Sequence, residues 1–261
     1  RFSSEAEVCS FLDSLQEKRA INSADDVFIS SVGEKLADLF FRPYTKKMWG
    51  IPATEIEAAV GKRIPVRSNR DDRYFTDSFQ ALPANGYTNC VQNILNHENI
   101  TVCLSKEFNK SMLASYRHAF LCVPIDEYFD FQFGKLPYRS IKFEERSQRG
   151  NLEAPVINFT DSYKYTRMTQ WDKLPNSGIA ENLEHTITYE IPCNPDDNNN
   201  EIYYPVRTKE SRALYSRYAE LACEISDTVT FCGRTGLFEY LDMVPAINKH
   251  LTIANKFISN L

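Results

Sequence analysis

The hydrophobic period changes once along this chain of 261 residues, and that change restricts the fold more than any other feature. Up to residue 60 the apolar side chains recur at helical spacing; from Arg139 they alternate with polar ones. Ser4 and Glu7 form a capping-box pattern ahead of Val8, Phe11, Leu12 and Leu15, which predicts an amphipathic helix. A polar break over 22–26 supplies a second cap, and a helix is expected over 27–41, interrupted at Gly33 and ended by Pro43. Thr54 with Glu57 reads as another capping box, opening a short helix through Val60. In the second half, Ile141 with Phe143, residues 156–159, residues 165–169, and Ile187, Tyr189 and Ile191 read as strands. No long helix separates them, so they predict an antiparallel sheet. Between these regions come a turn at 83–86, a helix over 87–95 and a short strand carrying Ile100, Val102 and Leu104. The apolar run 119–123, closed by Pro124, has the character of a buried parallel strand. Residues 194–200, NPDDNNN, read as a mobile loop tip. A helix over 210–222, a strand at 229–232 and a last helix with Ile247, Leu251, Ala254 and Ile258 on one face complete an α+β chain: a helical bundle with an antiparallel sheet.

Composition sets the outer bounds. Hydrophobic content of 43% supports a real core, and a net charge of −5 argues against a nucleic-acid partner or a polybasic membrane surface. No apolar run approaches 18 residues, so no membrane insertion is expected, and no signal-peptide pattern is present. The seven cysteines are odd in number and form no CxxC, which points to reduced thiols in a cytoplasmic protein. His97, His118, His185 and His250 lack metal spacing, so no metal site is expected. The 14 Tyr and 17 Phe fit either a polar ligand site or a Tyr-rich sheet.

Residues 43–50, PYTKKMWG, followed by Arg63 and Arg67, hold the parts of a nucleoside-diphosphate site. A planar base stacks on an aromatic ring, and guanidinium forks clamp a diphosphate. By pattern alone the preferred reading is plainer: a helix end with a buried Trp49 and solvated basic groups. Arg70 and Arg73, interleaved with Asp71, Asp72 and Asp77, read as a mutually neutralising surface loop.

Six blocks in one order are more specific: PYTKKMWG, KRIPVR, DDRYFTDSFQALPANGYTN, VINFTD with YTR, YYPV and GRTGLFEYLDM. From about residue 35 onward this order resembles UDP-galactopyranose mutase. The resemblance implies an isomerase that interconverts UDP-galactopyranose and UDP-galactofuranose, a precursor of bacterial cell-surface glycans. It also implies reduced FAD as cofactor, with flavin N5 forming an adduct to the sugar. By the same resemblance Tyr44 stacks on uracil, with Phe40 and Phe41 beside it, and Thr45 touches ribose or diphosphate. Trp49 is similar to a Trp on a mobile loop beside the active site. Arg63 resembles a loop arginine that closes on the diphosphate, and Arg167 a second essential arginine near the sugar–phosphate link. Tyr74, Tyr204 and Tyr240 match diphosphate contacts and Asn158 a uridine contact. Arg234, Asp242 and Met243 match the flavin-side segment. The family is often a homodimer.

The sequence departs from this pattern in several places. It holds no GxGxxG and nine glycines in all, so the βαβ unit that cradles the flavin pyrophosphate is missing. The chain also starts at Arg1. The expectation is a fragment that retains FAD poorly. It would comprise a helical substrate domain (1–70), part of the FAD-binding domain (71–130), an antiparallel substrate domain (131–225) and a C-terminal FAD-domain piece (226–261). An apolar face at 119–123 and 229–232 is expected to drive self-association. Gln170 stands where the family often has Glu, and NPDDNNN is an elaboration. Two other readings stay open: a UDP-sugar-binding fragment without catalysis, and an amine oxidase-like flavoprotein, which would lack the Arg63/Arg167 pair.

Overall fold

A computed structural model describes residues 2–63, 65–71, 73–175 and 184–260; Asp72 of the charged loop lies outside them. Helix α1 spans Glu5–Leu15, its Ser4 hydroxyl accepting from the Glu7 N–H. Helix α2, Ala24–Leu36, starts at a full capping box: Ser23 Oγ accepts from Asp26 N, and the Asp26 carboxylate accepts from Ser23 N at 3.0 Å. Two further orphan N–H groups of its first turn go to the chain ahead, Ala24 to the Ile56 carbonyl and Asp25 to that of Ala53. The helix kinks at Gly33, whose φ of 77° is left-handed. It then runs through a π-turn, Ala37–Phe41, into α3, Arg42–Trp49. Pro43 therefore does not end the helix as the sequence suggested. It sits in the first turn of α3, where its missing N–H costs no hydrogen bond. Nor does Thr54 cap a helix: α4, Ala58–Gly61, begins after Glu57, whose carboxylate pairs with Arg207 and Arg212.

Beyond α5, Gly86–Leu95, the expected strand over Ile100, Val102 and Leu104 is absent. These side chains are exposed, and no described strand offers them a ladder. Strand β1, Ala119–Leu121, is followed by α6, Ile125–Tyr128. The antiparallel sheet comprises β2 (Tyr138–Arg149), β3 (Val156–Asn158), β4 (Arg167–Gln170), β5 (Glu184–Cys193) and β6 (Tyr204–Pro205), in the order β3-β4-β5-β2-β6. Residues 194–200 are tied back to it. Asn198 donates to Ser140 Oγ and to the Ile141 carbonyl, so this segment is not the free tip its polarity suggested. Helix α7, Lys209–Glu224, leads to β7, Val229–Phe231, which pairs in parallel with β1. Helices α8, Gly233–Gly236, and α9, Met243–Ser259, follow.

Two hydrophobic clusters result. One joins the helical layer to the buried start of β2 through Phe28, Ile29, Met48, Trp49, Ile56, Ile141 and Val206. The other gathers Leu121, Ile125, Tyr138, Tyr218, Val229, Phe231 and Phe238. Val229 and Phe231 are thus covered, against the expectation of an apolar face at 229–232; of the parallel pair, Phe120 faces out at 44% exposure. An exposed apolar stripe lies instead on α9, at Met243, Val244, Ile247, Leu251 and Ile258.

A Cβ at Gly33 would overlap the Leu15 carbonyl as well as forcing a left-handed backbone on an L-residue. Gly33→Ala is expected to cost about 2 kcal/mol or more, on the order of 5 °C in the thermal midpoint. An unchanged midpoint would mean that α1 does not dock against the kink.

Candidate functional site

Helix α3 is fixed at both ends before any side chain reaches a ligand. At its start Arg42 forks onto Asp25, at 2.5 and 2.9 Å, and also meets Glu34 and Asp38. At its end Gly50 adopts φ 75° and returns its N–H to Lys46, while the buried Arg139 guanidinium donates to the Met48 carbonyl at 3.0 Å. Thr45, Met48 and Trp49 turn inward and are buried, whereas Lys46 faces solvent. Trp49, 5% exposed, closes the helix rather than riding on a loop.

Trp49 meets two tyrosines from distant segments. Its ring centroid lies 5.4 Å from Tyr240 and 6.2 Å from Tyr204, both edge to face, and the tyrosines are 5.3 Å apart. Tyr204 comes from β6, paired to β2 opposite Arg139, and Tyr240 from the turn between α8 and α9. Two cations rest on these rings. Arg63, in the turn after α4, lies 4.1 Å above Tyr240 and reaches both oxygens of Asp242 at 2.5 and 2.6 Å. Arg234 lies 5.0 Å from Tyr204 and 5.2 Å from Tyr240, with Nε held by the Leu241 carbonyl. Asp242 occupies the N-cap position of α9 but makes no side-chain cap bond there; its carboxylate serves Arg63.

Arg167 opens β4 and approaches the same cluster from the sheet. Its Nε reaches Asn158 Oδ1 at 3.3 Å, Nη1 reaches Glu190 at 3.5 Å, and the guanidinium contacts the Tyr44 hydroxyl. Burial alone would lower the Arg167 pKa, but Glu190, Tyr44 and Tyr204 outweigh it and the net shift is upward. Burial raises the Tyr44 hydroxyl, and raises that of Tyr240 to about 12. Both are therefore protonated donors at neutral pH. The arrangement offers fixed cations and neutral hydroxyl donors around an aromatic floor, which suits a polyanion carrying a planar base.

The other expected residues stand further out. Tyr74 is exposed and donates to the Arg63 carbonyl at 3.0 Å, bracing that residue's backbone. Phe41 stacks on Phe28 of the core at 5.0 Å, while Phe40 and Met243 are exposed. Sequence reading missed Glu190 and Arg139. Glu190 lies directly opposite Arg167 in the β4–β5 register, a placement visible once the strands pair.

The pyrophosphate cradle that the resemblance implies for the flavin is not found among the described residues. The glycines that follow β7 have no vacant cradle beside them. A Cβ at Gly236 would come within 2.9 Å of the Leu121 carbonyl, and one at Gly233 within 3.2 Å of the Cys122 side chain. Helix α8, with four residues, is too short to present an N-terminal pyrophosphate site. Among the described residues no three His, Cys, Asp or Glu side chains could hold a metal, and no helix is long and apolar enough to cross a membrane.

The family model for UDP-galactopyranose mutase matches residues 39–240. A probable UDP-galactopyranose mutase of Klebsiella pneumoniae is 35% identical over 88% of this chain and 59% of its own length. A dTDP-fucopyranose mutase of Escherichia coli is 34% identical over 91% of this chain and 64% of its own. The chain thus spans about three fifths of the curated relatives it matches. In fold it is similar to a crystal structure of reduced UDP-galactopyranose mutase, with a TM-score of 0.61 at 16% identity, covering 89% of this chain and 67% of that one.

The ring cluster and the ion pair make unequal contributions to stability. Trp49→Ala is expected to cost about 3–5 kcal/mol. Asp242→Asn should cost under about 1 kcal/mol, because the Arg63 and Asp242 side chains remain 28% and 37% exposed. Thermal melts showing the reverse order would contradict this account.

Proposed function

We propose, since the chain belongs to the UDP-galactopyranose mutase family, that it forms the nucleotide-sugar-binding part of an isomerase interconverting UDP-galactopyranose and UDP-galactofuranose. The observation that carries this reading is the pair of guanidinium groups, Arg63 and Arg167, reaching one aromatic cluster from different elements. In this reading uracil lies against Tyr44, with Phe40, Phe41 and Asn158 at its edge, and Thr45 touches ribose or diphosphate. Arg63 and Arg167 take the diphosphate, assisted by the hydroxyls of Tyr74, Tyr204 and Tyr240. As the sugar–diphosphate bond lengthens, negative charge grows on the leaving oxygen, and the two arginines stabilise it where it develops. Asp242 and Glu190 hold these guanidinium groups in place before the ligand arrives and share them with it afterwards.

Reduced FAD is the family's source of sugar-transfer chemistry in this reading, and Arg234, Asp242 and Met243 lie on its side. Because the described residues offer no pyrophosphate cradle, on their own they bind the nucleotide sugar without turnover. On this reading the chain divides into four parts at residues 70, 130 and 225, lies in the cytoplasm, pairs as a homodimer and supplies galactofuranose for cell-surface polysaccharide. The Escherichia coli relative motivates a second reading, in which the sugar nucleotide is a dTDP-deoxysugar held by the same clamp.

Calorimetric titration with UDP, dTDP and UMP tests both. Arg63→Ala and Arg167→Ala are each expected to weaken UDP about 10- to 100-fold, the loss of one charge-assisted contact, and to affect UMP less. Preference for dTDP over UDP would favour the second reading. Full UDP affinity in either variant would remove that arginine from the site.

A further inference from the structure

Away from the nucleotide site, two thiols meet at the open ends of the parallel pair. Strands β1 and β7 run in register with Leu121 opposite Phe231, so Cys122 and Cys232 leave the ladder side by side. The Cys232 N–H still donates to the Leu121 carbonyl, at 2.9 Å, which holds the two residues abreast. Their sulfurs lie 3.3 Å apart. Paired strands run about 4.8 Å apart, within the Cα separation that a disulfide spans, so closing the bond needs an approach of roughly 1.3 Å and no rearrangement of the sheet.

The two thiols differ in the way an oxidation site requires. Cys122 is exposed and lines a cleft of about 680 Å³ with Pro124, Tyr138, Pro195 and Thr235. Cys232 is 6% exposed and lies behind it. The hydrogen bond from Cys232 lowers the Cys122 thiol to about 6, and the same bond together with burial raises Cys232. A metal does not explain the pair. The nearby His250 accepts the Gly233 N–H on Nε2 and points Nδ1 at the Ala246 carbonyl, so both ring nitrogens are engaged.

We propose that Cys122 and Cys232 form a reversible oxidation site, at which a peroxide oxidises the exposed Cys122 and Cys232 resolves it to a disulfide joining β1 and β7. The Cys122 thiolate attacks one peroxide oxygen, the O–O bond breaks, and hydroxide leaves with the electron pair. The resulting sulfenic acid is attacked by the Cys232 sulfur, which gives up its proton as water departs. The proton first lost from Cys122 converts the hydroxide to a second water. Two thiols are oxidised and one peroxide is reduced to two waters. The new bond would sit one residue before Gly233 and two before Arg234, the residue that rests on Tyr204 and Tyr240.

The test uses the intact chain. After stoichiometric hydrogen peroxide and alkylation in denaturant, two of the seven thiols are expected to be lost, with Cys122 and Cys232 in one cross-linked peptide lighter by two hydrogens. Dithiothreitol should restore both. Cys223→Ser, which removes the other cysteine near Cys232 in sequence, should leave the cross-link intact. Cys232→Ser should leave a Cys122 sulfenic acid that a dimedone-type probe captures. Cys122→Ser, at the exposed position, should protect Cys232 from oxidation. Oxidation spread evenly over exposed Cys9, Cys103 and Cys223, a disulfide between chains in place of this one, or loss of Cys232 in the Cys122→Ser variant would each overturn the proposal.

Discussion

Three rings that lie far apart in sequence, Trp49, Tyr204 and Tyr240, meet at 5.3 to 6.2 Å, and the site follows from that meeting. Each ring arrives on a different support: the last turn of α3, the two-residue strand β6 and the turn before α9. Aromatic pairs of this kind contribute roughly 0.5–1.5 kcal/mol each beyond the area they bury. Their larger effect here is geometric. They hold the helical layer, the sheet and the C-terminal segment against one another, and they provide the faces on which Arg63 and Arg234 rest.

Charge is arranged around this floor with little slack. Arg63 has Asp242 and Arg167 has Glu190, so neither cation depends on a ligand for its position. Arg139 does a different job with a buried guanidinium: it holds the Met48 carbonyl and Asn194, and burial lowers its pKa. It thereby ties the end of α3 to the NPDDNNN segment, which ends four residues before Tyr204. Burial pushes the hydroxyl pKa values of Tyr44 and Tyr240 further above neutrality, so these groups add donors without adding charge.

The change of hydrophobic period was enough to read a helical first part and an antiparallel second part, because both patterns reflect which side chains face a core. Helix ends were less legible. Pro43 continues a helix because its position in the first turn tolerates a missing N–H, and Thr54 loses its expected cap because Glu57 is drawn to Arg207 and Arg212 across the fold. Ile100, Val102 and Leu104 alternate like a strand, but alternation describes a face and not a partner. For the site, the ordered motifs singled out Tyr44, Trp49, Arg63, Arg167, Tyr204, Tyr240 and Asp242, and the structure brings these into one connected cluster. Glu190 and Arg139 stayed hidden, because their importance lies in strand register and helix-end contacts that no local pattern encodes.

If the ring cluster forms the floor of a nucleoside-diphosphate site, titrating UDP while following Trp49 emission in a Trp171→Phe background, which removes the other indole, reads its occupancy. A saturable change in Trp49 emission that uridine alone does not reproduce is expected, because the diphosphate must engage Arg63 over Tyr240. A folded chain whose Trp49 emission is indifferent to UDP at millimolar concentration would contradict this assignment of the site.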